Sequence, residues 1–550
     1  MGQHQSLDAS LETIPDLVAQ LSNASSRKRT KAAAALAILS ERSMNQVSIA
    51  AFGGIPPLVA LLRDGNKSQQ TKAALALSRL SMNDENKVEI KAAGGIPPLV
   101  LMMRNSTGTQ RELAMAALLN LSMNANNHVA ILASEALPTL VAIARVGAPV
   151  PKEKAAGVLS ELATNPDNHN AILAAKGIYP LVGIISNTTR REANYAVMAL
   201  QALSVNDRAK TGIVGAGGVL RLVQFVCGGN DFQKEHAAGT LANLSAVPEH
   251  AVLIEKAGGI APLVKLMHDG NWNVKMIAVG ALTNLSKIGK NQVAIEAAGG
   301  IRQLVTLLRN GSDGQKQLVL VVLMTLSEGA DEIKAAIAAA GAIPPLMALL
   351  SNGDDALKQV GALILRHLSS LPDNSAIRAA DGIPTLVNLL RDGNTTLQKG
   401  EAALILAELA RGHANRAAMS AAGCIPPLVD IVRDDFNVRR QVAACVLSRL
   451  ALDPENNEAI VATGGIEEFV ALLQDGNDFE KEYAAHALAK LSLSDANRKP
   501  IEAGGGISLL IALVRTGNAF QKDFAATVLS NLSADEELRA VIQRERRERV

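Results

Sequence analysis

One pattern, repeated thirteen times in phase, decides what this chain can fold into. Residues 53–66 read GGIPPLVALLRDGN. The apolar residue in the place of Leu58 returns as Leu17, Leu99, Leu140, Leu181, Leu222, Leu263, Leu304, Leu346, Leu386, Leu428, Phe469 and Leu510. The step is 41 residues, and three steps deviate by one residue each. A period of this length marks an array in which each unit buries its apolar face against its neighbours. The 550 residues exceed what one globular core accommodates, and no shift in composition divides them.

Within the motif the roles of the residues separate. Gly53 and Gly54 end one helix, because glycine accepts the left-handed conformation of a helix C-terminus. Pro56 and Pro57 open the next, where a missing N–H costs nothing. Leu58, Val59, Leu61 and Leu62 give that helix a broad apolar face, and Asp64, Gly65 and Asn66 stop it in a tight turn. A full unit predicts three helices. In the second copy a short helix follows Asn86, a second follows Gly95, and a longer third runs from about Thr109 to Ser122. Asn45, Asn86, Asn127, Asn168, Asn291, Asn456 and Asn497 stand ahead of the short helix and read as its N-caps. The third helix ends at Leu39, Leu80, Leu121, Leu162, Leu203, Leu244, Leu285, Leu326, Leu368, Leu409, Leu450, Leu491 and Leu532.

The array predicted from this pattern covers residues 11–533, preceded by an N-terminal segment, 1–10. The first copy lacks the short helix, as befits a terminal unit. Residues 534–550 are expected to form a charged amphipathic helix that caps the last copy. The turn VGAPVPKEK, with Pro149 and Pro151, departs from the pattern and reads as a tolerated loop variation.

Composition restricts the function classes. Apolar residues make up 48% but aromatic ones only 2%, so Ala, Leu, Val and Ile must fill the interior. The formal net charge of +2 argues against nucleic acid as a partner, which needs a concentrated positive field or aromatic platforms. Cys227, Cys424 and Cys445 stand singly, which fits neither a disulfide framework nor a metal site and points to a reducing compartment. No apolar run approaches the length of a membrane span, so a soluble, cytoplasmic protein is expected. The nine histidines fall in no catalytic motif; His236, His367 and His486 belong on third helices as face or half-buried residues. Neither catalytic residues, metal ligands nor a cofactor are expected.

Segments 233–245 (QKEHAAGTLANLS) and 257–271 (AGGIAPLVKLMHDGN) closely resemble the armadillo consensus, and the resemblance extends over about residues 8–540. It implies an all-α, right-handed superhelical solenoid of about thirteen three-helix repeats. Its third helices would line a concave groove that takes extended partner segments, as in catenin-like adaptors.

Two rows of residues follow from that resemblance as candidate groove contacts. One position before the terminal Leu stand Ile38, Arg79, Asn120, Glu161, Ala202, Asn243, Asn284, Thr325, His367, Glu408, Arg449, Lys490 and Asn531. In nuclear-import adaptors this row is rich in Asn, with Trp four residues earlier. Here Ala116, Gly239, Gly280 and Thr527 precede the asparagines, and the single Trp272 lies in a turn. A basic autoinhibitory N-terminal segment is missing too, so the nuclear transport role ranks third. The asparagines remain candidates for holding a partner's backbone.

Ten positions before the terminal Leu stand Arg29, Arg111, Lys152, Lys234, Lys275, Lys316, Lys358, Lys399, Arg440, Lys481 and Lys522. This position is near the start of the third helix, where the dipole disfavours a cation. Two readings stand side by side. One is a positive stripe along a groove edge that receives acidic partners. The other is a consensus lysine spread by duplication, solvated or paired with acids such as Glu235 or Glu482.

The N-terminus matches the myristoylation pattern through Gly2 and Ser6. A lipid at Gly2 would give marginal, reversible attachment to an organelle membrane. That plan is similar to the vacuole-anchored armadillo proteins. The expected function is therefore a monomeric, non-enzymatic adaptor for protein partners. The substrate-recognition subunit of a ubiquitin-ligase system is the alternative, although no U-box or F-box is recognisable.

Overall fold

The computed structural model describes residues 5–186, 191–393, 395–434 and 438–548, with side chains from residue 13 to 547. The described residues form α-helices, short 3-10 turns and loops, and no strand. The chain divides into two compact units, Met1–Asn291 and Gln292–Val550. In the first unit a representative repeat comprises Asp84–Ala92, Ile96–Asn105 and Gly108–Ser122. In the second unit the same succession is seen in Asp331–Ala339, Ile343–Asn352 and Asp355–Ser369. Within each unit the third helices stack on one another and on the second helix of their own repeat.

The phase inferred from the sequence places the core. Leu58, Leu99, Leu140, Leu181, Leu222 and Leu263 of the first unit are fully buried, as are Leu304, Leu346, Leu386, Leu428, Phe469 and Leu510 of the second. Leu17 is half-buried. Between these layers the third helices bury alanines, such as Ala73, Ala74 and Ala76 or Ala484, Ala485 and Ala487. Small side chains let helix axes approach closely, which suits a core so poor in aromatic residues.

Each junction between a first and a second helix places one residue in the left-handed region. Glycine fills it at Gly53, Gly94, Gly217, Gly258, Gly299, Gly341, Gly423, Gly464 and Gly505. The equivalent residues Glu135, Lys176 and Asp381 adopt the same conformation, with φ of 56°, 60° and 55°. A side chain there costs about 1–2 kcal/mol, of which glycine's extra unfolded-state entropy takes back part. Glu135→Gly, Lys176→Gly and Asp381→Gly are each expected to stabilise by about 0.5–1 kcal/mol. Thermal melts of the triple variant test this, and an unchanged or lower midpoint would refute it.

Four local details differ from expectation. Helix Gln5–Asn23 begins inside the segment set apart as residues 1–10 and passes through Pro15. Trp272 does not lie in a turn but opens helix Trp272–Ser286, and is 61% exposed. The Asn residues read as N-caps of the short helix have another role, described below. Asn66, read as part of a stop, caps the start of the third helix Lys67–Leu80, with Gln69 completing a reciprocal capping box. By contrast, Pro149 and Pro151 lie in the first turn of Pro149–Ala163, where proline is tolerated, and that helix has the usual 15 residues. The expected C-terminal helix is Glu536–Glu548. It buries Leu538 and Ile542, while Lys499 pairs with Glu537 at 3.1 Å.

Candidate partner-binding face

The third helix has two unlike flanks. Positions one and ten before the terminal Leu are nine residues apart, which is two and a half turns, so they point to opposite sides of the helix. The position twelve before the terminal Leu is exposed in every copy, and the position one before it is never buried. In helix Asp478–Leu491 this open stripe carries Phe479, Tyr483, His486 and Lys490, while Ala484, Ala485, Leu488 and Leu491 are buried.

On the open stripe the asparagines reach back to the preceding repeat. Asn120 Nδ2 donates to the Ser78 carbonyl and Ser81 Oγ at 3.0 and 3.2 Å. Asn243 Nδ2 donates to Ser204 Oγ at 2.9 Å. Asn284 donates to the Ala242 carbonyl and Ser245 Oγ, at 3.4 and 3.3 Å. Asn531 makes the same pair of bonds to Ala489 and Ser492, at 3.3 and 3.0 Å. Arginine does this as well: Arg79 donates to the Ala37 carbonyl and pairs with Glu41, and Arg449 donates to the Ala407 carbonyl. The acceptors lie in the last turn of a helix, where carbonyls lack intrahelical partners. These four asparagines and two arginines therefore each staple one third helix to the one before it. With the amide nitrogen of each asparagine so engaged, Oδ1 is the atom suited to a partner, as an acceptor for a backbone N–H, although Asn284 Oδ1 also accepts from Lys287 Nζ at 3.3 Å.

The basic row does not share that stripe. Arg111 Nε donates to the Met103 carbonyl at 3.2 Å, and Lys399 Nζ to the Arg391 carbonyl at 3.0 Å. Both acceptors are in the last turn of the second helix, whose negative dipole end favours a cation. The long side chains thus leave the unfavourable start of their own helix for the end of its neighbour. Lys234 lies 3.9 Å from Asp231 and Lys316 3.7 Å from Asp313. Glu235 and Glu482, the acids first considered as partners, accept instead from Asn273 and Asn518. Row residues also line clefts between successive second helices. Lys152 borders one of about 360 Å³, Lys316 one of about 630 Å³ with Pro344 and Pro345, and Lys358 one of about 260 Å³. Lys275 is half-buried at the equivalent place.

The recurrent asparagines ahead of the short helix prove to close the third helix. Asn45, Asn86, Asn127, Asn168, Asn291, Asn456 and Asn497 each donate from Nδ2 to the carbonyl of the terminal Leu six residues back, at 2.8–3.1 Å. Asn86 bonds also to the Gln46 carbonyl at 3.1 Å, linking neighbouring repeats. The capping itself falls to residues such as Asn83, which accepts from the Asn86 N–H.

The described residues contain no group of three or more His, Cys, Asp or Glu able to hold a metal. His367 Nδ1 lies 2.9 Å from Ser327 Oγ, but that hydroxyl donates to the Met324 carbonyl, so the imidazole is a donor there and not a base. Burial pushes the Cys424 thiol up to about 12. Burial also lowers the imidazoles of His236, His367 and His486, leaving them neutral near pH 7. At Gly239, four residues before Asn243, an added Cβ would meet the Gln201 side-chain amide, which would have to move aside. Gly2 lies outside the described residues. Among those described, no single helix is long and apolar enough to cross a membrane.

A family model described as Armadillo-like matches residues 10–214. No curated protein sequence matches the chain. Among solved structures, an engineered protein is 30% identical, with a TM-score of 0.63 over 72% of this chain and 98% of that one. A structure from a study of a phosphorylation switch in the interaction between cadherin and β-catenin has a TM-score of 0.64. It is 19% identical and is matched over 94% of this chain and 99% of that one, a likeness of fold alone.

Proposed function

Because this chain belongs to the armadillo-like family, we propose that it is a non-enzymatic adaptor that holds extended segments of partner proteins along the open stripe of its third helices. The observation that carries this reading is the stripe itself: every copy leaves the position twelve before the terminal Leu exposed and never buries the position one before it. A surface repeated at every step suits an extended chain, whose own groups also recur at a fixed rise. Asparagine Oδ1 atoms offer it acceptors, and Arg79, Arg449 and Lys490 offer charge. The basic flank at Lys234, Lys275, Lys316, Lys358 and Lys399 gives the partner an acidic character.

The test starts from a partner captured by the intact protein and titrated at two salt concentrations. Lys234→Glu, Lys275→Glu and Lys316→Glu together are expected to weaken binding far more than reversal of three lysines outside the row. The loss is expected to shrink as salt screens charges over roughly 8–10 Å. Unchanged affinity in the triple variant would leave the row as a set of helix-end contacts with no part in binding.

A further inference from the structure

The chain has eight Phe, three Tyr and one Trp, and their placement is uneven. Phe479, Tyr483, Phe520 and Phe524 fall on the same two positions of two consecutive third helices, Asp478–Leu491 and Ala519–Leu532. They are not core residues. Phe479 is 59% exposed and Phe520 64%, while Tyr483 and Phe524 are half-buried. Two preceding repeats of the same unit continue the outer position with Leu397 and Val438, 46% and 73% exposed. A large apolar side chain therefore stands in the open at the same place in four consecutive repeats, one step of 41 residues apart. An apolar ladder of this kind on a soluble surface marks a contact site.

Its other edge is basic. Lys490 follows Phe479 by eleven residues, close to three full turns, and so lies on the same face about 16 Å further along the axis. Arg449 holds the equivalent place in the repeat before. Both cations act on His486 between them, whose imidazole is lowered by burial first and then by Lys490 and Arg449. The Phe524 ring packs on that imidazole with centroids 4.7 Å apart. Lys490 forms no ion pair among the described residues, and Glu408, two places before it in the row, is taken up by Arg411 at 3.1 Å. Near the apolar edge stand three acids, Asp478, Glu482 and Asp523, of which Glu482 accepts from Asn518, so the attraction for carboxylates comes from Arg449 and Lys490.

We infer that this face of the second unit is a docking site for an extended acidic segment of about a dozen residues carrying large apolar side chains. The inference rests on the adaptor reading and narrows it to one site and one partner chemistry. Repeats about 10 Å apart correspond to about three residues of extended chain. Apolar side chains of the segment meet the ladder, and its carboxylates turn toward Arg449 and Lys490. Aromatic anchors beside cations are the residues that usually dominate such contacts.

A phage-displayed library of random 12-residue peptides, selected on the full chain, tests the inference. The selected peptides are expected to combine Phe, Leu, Ile or Trp with Asp and Glu. Phe479→Ser with Phe520→Ser is expected to weaken a selected peptide by about tenfold or more, and Lys490→Glu to weaken it and remove its salt dependence. All three side chains are exposed or half-buried, so folding is checked simply by an unchanged melt. Peptides that respond to Asn120→Asp or Asn243→Asp but not to these changes would overturn the site and keep the adaptor reading. Peptides indifferent to every open-stripe change would overturn both. A concentration-dependent dimer abolished by Phe479→Ser with Phe520→Ser would assign the face to a second copy of the chain instead.

Discussion

Leu263→Asp is expected to cost about 3–5 kcal/mol and to divide the melting transition. Leu263 is fully buried in helix Ile260–Asp269, beside Val264, Leu266 and Met267. A carboxylate in that place either stays ionised without a partner or takes up a proton, and both states leave a polar group where a branched apolar one packed. In a linear array each repeat touches only its neighbours, so the damage is expected to stay near this layer. The melt should then show a low-temperature phase absent from the parent protein. Lys265→Asp, two residues away at an exposed site, is the control and should change stability by no more than about 0.5 kcal/mol. If Leu263→Asp melts like the parent, the 41-residue phase does not mark the interior.

That phase was legible because a buried position tolerates few residue types, and the chain repeats the choice at every step. Leu58 and its equivalents could be aligned without knowing the fold, and the glycines, prolines and terminal leucines then fixed helix ends. What the sequence left open is the direction in which a polar side chain turns. Asn86 precedes one helix and follows another, and both ends have unpaired backbone groups to satisfy. Proximity to the short helix suggested a cap, yet the side chain closes the Leu80 carbonyl behind it. A signal was present, since Asn83 stands three residues earlier at the true capping position. The basic row shows the same effect. Position places Lys399 near the start of its helix, but its stem is long enough to reach the Arg391 carbonyl at the end of another. The asparagines and lysines both recur every repeat, and their spacing of nine residues sets them on opposite sides of the helix. The apolar ladder at Leu397, Val438, Phe479 and Phe520 could also have been found from its steps of 41, but among so many apolar residues only exposure distinguishes it.

Asp453→Ala is expected to cost about 3 kcal/mol, because it strands a shielded guanidinium. Arg416 donates from Nε and Nη2 to the two oxygens of Asp453, at 2.7 and 2.9 Å, and from Nη1 to the Ala410 and Arg411 carbonyls. The two side chains are only 10% and 13% exposed. His413 Nδ1 lies 3.0 Å from the same carboxylate. This cluster ties the end of one third helix to the turn after the next, so it fixes the spacing of repeats beside the apolar ladder. Replacing both partners with apolar residues, Arg416→Met with Asp453→Leu, should cost less than the sum of the single changes, since neither charge is then left alone. The pH dependence follows from the same contacts. The Arg416 hydrogen bond, aided by His413 and opposed by burial, holds the Asp453 carboxyl below the usual carboxylate range. A group whose folded pKa is lowered contributes its full stability above the unfolded value of about 3.9 and loses it as pH falls through the folded one. The stability gap between the parent protein and Asp453→Asn, read from urea midpoints, should therefore be wide at pH 7 and narrow progressively below about pH 4. A gap that stays constant down to pH 2 would mean that the pairing with Arg416 contributes nothing beyond packing.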